Sequence, residues 1–118
     1  TAALAAMDPA NPFGATLNWP MHASGTRPTR RNGAFVVIAG GELQLYLPQG
    51  GKDLLTFATE SQPLSLAISA LGTALKRDKQ LRFTLETVDG EPAGLSPQLA
   101  ALRAAGFSRV PNGFSWEG

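Results

Sequence analysis

Cysteine is absent from the 118 residues, and histidine occurs once, as His22. Disulfides, thiolate metal sites and cysteine nucleophiles are thereby excluded, and one imidazole offers no pair to hold a metal. Charge of one sign is also missing: ten Lys and Arg stand against nine Asp and Glu, for a net charge of +1. A balance that small does not draw a chain to nucleic acid, so any such role must come from local clustering. No apolar run reaches the length of a membrane span, and no signal-peptide pattern opens the chain. We therefore expect a soluble, cytoplasmic protein with no membrane partner. A Gly-x-x-x-x-Gly-Lys-Ser/Thr loop is lacking, as is a Gly-x-Ser-x-Gly elbow. Neither an ATPase site nor a serine nucleophile has a basis here, and no cofactor is expected.

What is present is the composition of a folded domain, 43% hydrophobic and 16% charged, with room for one core. The opening, Thr1 to Asp8, is alanine-rich and has no N-cap signal. It reads as the last turns of a helix whose start lies in a longer parent protein. Asp8 to Pro20 then carries three prolines and a glycine in thirteen residues, which no regular helix or central strand accepts. Phe13, Leu17 and Trp19 give this stretch apolar anchors, so it is expected to be an ordered, extended collar. Burial of Phe13 and Trp19 against a partner domain is the expected arrangement.

Ala34 to Ala39 is a continuous apolar run rich in β-branched residues, the pattern of a central strand. Gly40-Gly41 supplies a hairpin turn, and Glu42 to Leu47 alternates, with Leu43, Leu45 and Leu47 on one face and Gln44 and Tyr46 on the other. After Pro48-Gln49-Gly50-Gly51, a third strand from Asp53 to Ala58 completes an antiparallel meander. Ser61 and Pro63 open a helix whose stripe is Leu64, Ala67, Ile68, Leu71, Ala74 and Leu75. Leu81 to Val88 forms a fourth strand ending in Asp89-Gly90-Glu91-Pro92. Ser96-Pro97 opens a second helix with Leu99, Leu102 and Ala105, which Gly106 ends. Phe107 to Val110 and Phe114 to Trp116 flank Pro111-Asn112-Gly113 as a C-terminal hairpin. The fold class is thus α+β: a mainly antiparallel sheet or small barrel-like unit, braced by two helices. Residues 1–33 form the lead-in and collar, and 34–118 the α+β body of a single domain.

Two basic clusters stand out: Arg27, Arg30 and Arg31 before the first strand, and Lys76, Arg77, Lys79 and Arg82 after the first helix. The second has a sufficient reason in the negative end of the helix dipole. The first, with Lys52, is the candidate for phosphate contacts, and Tyr46 on a polar strand face could stack on a base beside it. His22 has no obvious partner and reads as a loop-packing residue. Of the carboxylates, Asp8 caps a turn and Asp89-Gly90 is a tight-turn pair. Turn chemistry leaves Glu91 and Glu117 unexplained, and Glu117 is a weak candidate for acid catalysis on a flipped base.

Several ordered blocks together carry a resemblance: Ala-Met-Asp-Pro-Ala-Asn-Pro-Phe-Gly-Ala-Thr-Leu-Asn-Trp-Pro, Arg-Pro-Thr-Arg-Arg-Asn-Gly-Ala-Phe-Val-Val-Ile, Gly-Glu-Leu-Gln-Leu-Tyr-Leu, Gly-Gly-Lys-Asp-Leu-Leu-Thr-Phe, Val-Asp-Gly-Glu-Pro and Leu-Arg-Ala-Ala-Gly-Phe. Over essentially the whole chain they resemble the extreme C-terminal domain of the Lhr (large helicase-related) family of superfamily 2 DNA helicases. The resemblance implies a parent with an upstream ATP- and Mg-dependent 3′-to-5′ DNA motor, implicated in DNA repair. It implies neighbouring winged-helix domains, self-association in some members, and a C-terminal region linked to uracil-DNA glycosylase activity. The implied role is an accessory module holding single-stranded or forked DNA, with base excision or pure oligomerisation as alternatives.

Overall fold

The apolar run at Ala34–Ala39 is continuous because its strand is covered on both faces. In the computed structural model, which describes residues 2–22, 25, 28–57, 61–78 and 80–116, β2 (Phe35–Ala39) lies between β1 (Ala2–Ala5) and β3 (Glu42–Leu47). Both pairings are antiparallel, and β4 (Asp53–Thr56) follows beside β3. The expected meander is therefore present, with one more strand on its outer side.

That extra strand corrects the expectation of a helix end. Ala2 to Ala5 pairs with Ile38 to Phe35, residue for residue. Alanine favours helix by a few tenths of a kcal/mol, but four residues cannot offset helix nucleation. The open edge of β2 offers backbone donors and acceptors that a strand satisfies at once.

A second correction concerns Glu42–Leu47. The β2–β3 register runs Val37↔Leu45 and then Ile38↔Leu43, so a bulge falls at Gln44. One extra residue reverses the side-chain alternation. Leu43 joins Tyr46 on one face, while Leu45 and Leu47 stay on the other.

The expected fourth strand divides in two. The Lys52 carbonyl accepts hydrogen bonds from both Glu86 and Thr87 N–H, at 2.8 and 3.1 Å, and the chain bends there. β5 (Phe83–Leu85) joins β9 (Gly113–Trp116), which also pairs with β8 (Ser108–Val110) in a three-stranded sheet. β6 (Thr87–Val88) instead pairs in parallel with β4, and β7 (Glu91–Pro92) closes the larger sheet. Its order is β1-β2-β3-β4-β6-β7, an open sheet with two edges rather than a closed barrel. Pro92, with no N–H to donate, suits such an edge, and exposed Glu91 places a charge there.

On one face of the large sheet, α1 (Ser61–Leu75) lays down Leu64, Ala67, Ile68, Leu71 and Leu75, all buried. α2 (Leu99–Ala105), a 3₁₀ turn at Ala93–Leu95 and the small sheet complete this main core with Leu102, Phe107, Phe114 and Trp116. Burying each large apolar side chain stabilises the fold by about 1.5–3 kcal/mol relative to exposure. α2 starts two residues later than Ser96-Pro97 suggested, because Ser96 Oγ accepts the Gln98 N–H in a turn before it. Gly106 ends the helix as expected. No helix among the described residues is long and apolar enough to cross a membrane.

Candidate functional site

The opposite face of the sheet is covered by the collar itself. Ala6, Phe13, Ala34, Val36, Leu43, Tyr46 and Leu55 form a second core, with Trp19 and Phe57 against it. Phe13 stacks on Trp19 at 6.0 Å, and Trp19 meets Tyr46 edge-on at 5.6 Å. The expected partner-domain burial of Phe13 and Trp19 is thus replaced by packing on the chain's own sheet. Nor is the collar extended. Asp8 N–H bonds Ala5, Asn11 N–H bonds Asp8, and Pro12 O accepts from Ala15, Thr16 and Leu17.

The residue types of Asp-Pro-Ala-Asn-Pro-Phe-Gly follow from this path. Asp8 Oδ1 accepts the Ala10 N–H at 2.8 Å, the turn cap that Asp-Pro suggested. Asn11, 1% exposed, donates Nδ2 to Ala6 O at 2.8 Å and accepts Phe13 N–H at 3.0 Å. Gly14 has φ +79°, and a Cβ there would lie 2.8 Å from the Trp19 indole nitrogen. The most distinctive motif of the chain is an architectural one.

Arg30 belongs to the same construction. Its guanidinium donates to three collar carbonyls, Asn11 O at 2.6 Å, Phe13 O at 3.2 Å and Asp8 O at 3.1 Å. A planar fork of five donors suits this task, where a lysine ammonium would reach fewer carbonyls. Tyr46 is 3% exposed, its hydroxyl donating to Thr29 O at 2.7 Å. The polar strand face on which it was placed is a packed one, so no ring face is open for stacking. Arg31 is exposed in the turn before β2. Lys52 is exposed at the start of β4, with Glu86 at 3.7 Å. Arg27 and Glu117 lie outside the described residues. Arg30 and Tyr46 are therefore brought together under the collar, while Arg31 and Lys52 face solvent elsewhere.

Sequence reasoning missed the partner of His22. Its Nε2 lies 2.7 Å from Asp89 Oδ1, and its ring meets Phe57 edge-on at 5.2 Å. Asp89 Oδ1 also accepts the Thr56 N–H at 2.6 Å, and Oδ2 accepts the Thr56 hydroxyl. Asp89 holds φ +56°, a left-handed conformation that Asp and Asn tolerate best among residues with a side chain. The pair ties the collar to the β6–β7 turn across 67 positions. No local spacing announces such a contact. Asp89→Ala is expected to cost about 2–3 kcal/mol by stranding the Thr56 N–H and straining the turn. Asp89→Asn should recover part of that, and urea denaturation of both variants measures the difference.

Beside His22 the collar leaves a cleft of about 620 Å³, lined by Gly14, Leu17, Asn18, Trp19, Pro20 and Met21 among others. Met21 is 96% exposed at its rim. No group of three or more metal-ligating side chains occurs among the described residues.

No protein-family model matches the chain. It is 48% identical over 115 residues to the Lhr helicase/uracil glycosylase of Escherichia coli (strain K12), covering 97% of this chain. It is 37% identical over 118 residues to the Lhr helicase/probable uracil glycosylase of Mycolicibacterium smegmatis, covering 93%. In each case the chain spans only 8% of the relative's own length. With identity of that order over nearly all of its length, the chain corresponds to one short segment of the long Lhr-family proteins.

Proposed function

We propose that this chain is a C-terminal accessory module of an Lhr-type ATP-dependent DNA helicase, supporting DNA binding or assembly in DNA repair and carrying no motor of its own. The observation that carries the reading is the pair of coverages: nearly all of this chain matches a twelfth or less of proteins named as helicases. The missing phosphate-cradling loop agrees with a motor elsewhere, where ATP and Mg would act. Contacts would be to phosphates of single-stranded or forked DNA, and phosphate contacts position a protein without reading sequence. Neighbouring winged-helix domains and a second copy are the further partners this reading implies.

Fluorescence anisotropy with labelled single-stranded DNA tests it. Binding that weakens as salt rises and is indifferent to base sequence is expected. No binding even at low salt would remove DNA contact from the role. A second reading draws on the glycosylase in both relatives' names: the segment supplies an acid, Glu117, to uracil excision. Uracil-containing DNA incubated with the parent protein and its Glu117→Gln variant decides it, since unchanged excision removes Glu117 from the chemistry.

A further inference from the structure

Arg31 of the first basic cluster lies more than forty positions from Lys76, Arg77 and Arg82 of the second, and the segments that carry them come together in the fold. A shallow cleft there is lined by Gly33, Pro48, Gly51, Leu75 and Arg82, among others. Arg31 lies two residues before Gly33, Lys52 follows Gly51, and Lys76 and Arg77 follow Leu75 at the end of α1. The turns that carry Arg31 and Lys52 touch: a Cβ at Gly33 would meet the Gln49 side chain at 3.0 Å. Arg31, Lys52, Lys76, Arg77 and Arg82 are all exposed.

Among the described residues, the carboxylates at this end are Asp53, Asp78 and Glu86. Asp53 accepts the Thr87 hydroxyl at 2.6 Å, Asp78 accepts the Gln80 N–H at 3.0 Å, and Glu86 lies against Lys52. Arg82 lines the cleft and four more cations stand within two residues of its lining, against three described carboxylates, each engaged by a neighbour. One or two cations would suffice to answer the helix dipole. The excess sits on turns from four separate segments, as a curved backbone of phosphates would need.

We infer that this end of the domain, rather than the collar, is a phosphate-tracking surface for single-stranded nucleic acid, with Lys52, Lys76 and Arg77 at its centre and Arg31 and Arg82 at its margins. The inference rests on the DNA-binding reading above and specifies where that binding occurs. It moves the expected site away from Arg30 and Tyr46, whose polar groups are used under the collar. It also gives the second basic cluster a task beyond closing a helix.

The test compares the chain with the triple variant Lys52→Ala, Lys76→Ala, Arg77→Ala in anisotropy titrations against a labelled 20-mer of thymidine. A control triple, Thr16→Glu, Gln62→Glu, Ser65→Glu, changes net charge equally at exposed positions on the collar and the start of α1. That helix start is about 20 Å from the helix end, at 1.5 Å per residue. Circular dichroism melts verify that both variants fold, and a charge-conserving Lys52→Arg, Lys76→Arg pair should bind as the parent does. Loss of three contacts is expected to weaken binding about tenfold or more at low salt and to shrink the salt slope by about 2, from roughly 0.7 per phosphate. The control triple should lose less than half as much. Equal losses in the two triples, or an unchanged slope in the alanine triple, overturn the surface while leaving DNA binding intact. Absence of binding by the parent chain overturns both.

Discussion

Gly113→Ala is expected to cost about 4 kcal/mol or more, a large share of the roughly 5–15 kcal/mol that holds a domain together. Gly113 opens β9 with φ +148°, and an added Cβ would lie 1.9 Å from the Leu85 carbonyl oxygen. That atom is backbone in the neighbouring strand, so no side-chain rotation relieves the overlap. β5 and β9 would have to separate where Leu85 pairs with Phe114. Both residues are fully buried in the main core with Trp116 beside them, so loosened packing adds to backbone strain. Gly90→Ala is the contrasting substitution. Its φ is +85°, but nothing lies within 4 Å of the added carbon, and about 1 kcal/mol of conformational strain is all that is expected. Paired urea unfolding curves separate the two. Similar costs at both positions would show that β5 and β9 do not pair as described.

Arg30→Ala is expected to lower stability by about 3 kcal/mol, through three charge-assisted hydrogen bonds to the collar lost together. The melting temperature should fall by roughly 10 °C. Arg30→Lys should recover only part, since a single ammonium cannot span the three carbonyls. Arg31→Ala, one residue on and exposed, should leave the melt within about 0.5 kcal/mol of the parent. The contrast divides two arginines that look equivalent in sequence. If Arg30→Ala melts like the parent and loses only DNA affinity, its guanidinium serves phosphate rather than the collar.

The meander and both helices were legible because each rests on local periodicity: the apolar run of Ala34–Ala39, the Gly40-Gly41 turn, and the stripe from Leu64 to Leu75. What escaped was decided by partners distant in sequence. Ala2–Ala5 took the form of a strand because β2 had an open edge. Tyr46 looked polar-facing until the collar, thirty residues upstream, covered that face. The division of Leu81–Val88 between two sheets depends on the Lys52 carbonyl, which no alternation pattern encodes. His22 and Asp89 are each unremarkable in sequence, and their contact exists only once the collar has folded back. Among the candidate site residues the same logic applies. An arginine in a basic run and an arginine gripping three carbonyls differ in surroundings, not in spacing.

The collar's motif also changes meaning in this light. Its residues explain one another through turns, a buried amide and an indole packed on a glycine. The stretch's polar groups and rings are spent on covering the chain's own sheet.

The most direct measurement is an amide-resolved NMR titration of the chain with the thymidine 20-mer. Shifts concentrated at Arg31–Gly33, Gly50–Lys52, Lys76–Asp78 and Leu81–Arg82, with Asp8–Pro20 unmoved, are the expected result. Shifts centred instead on Trp19, His22 and the cleft beside them would contradict it.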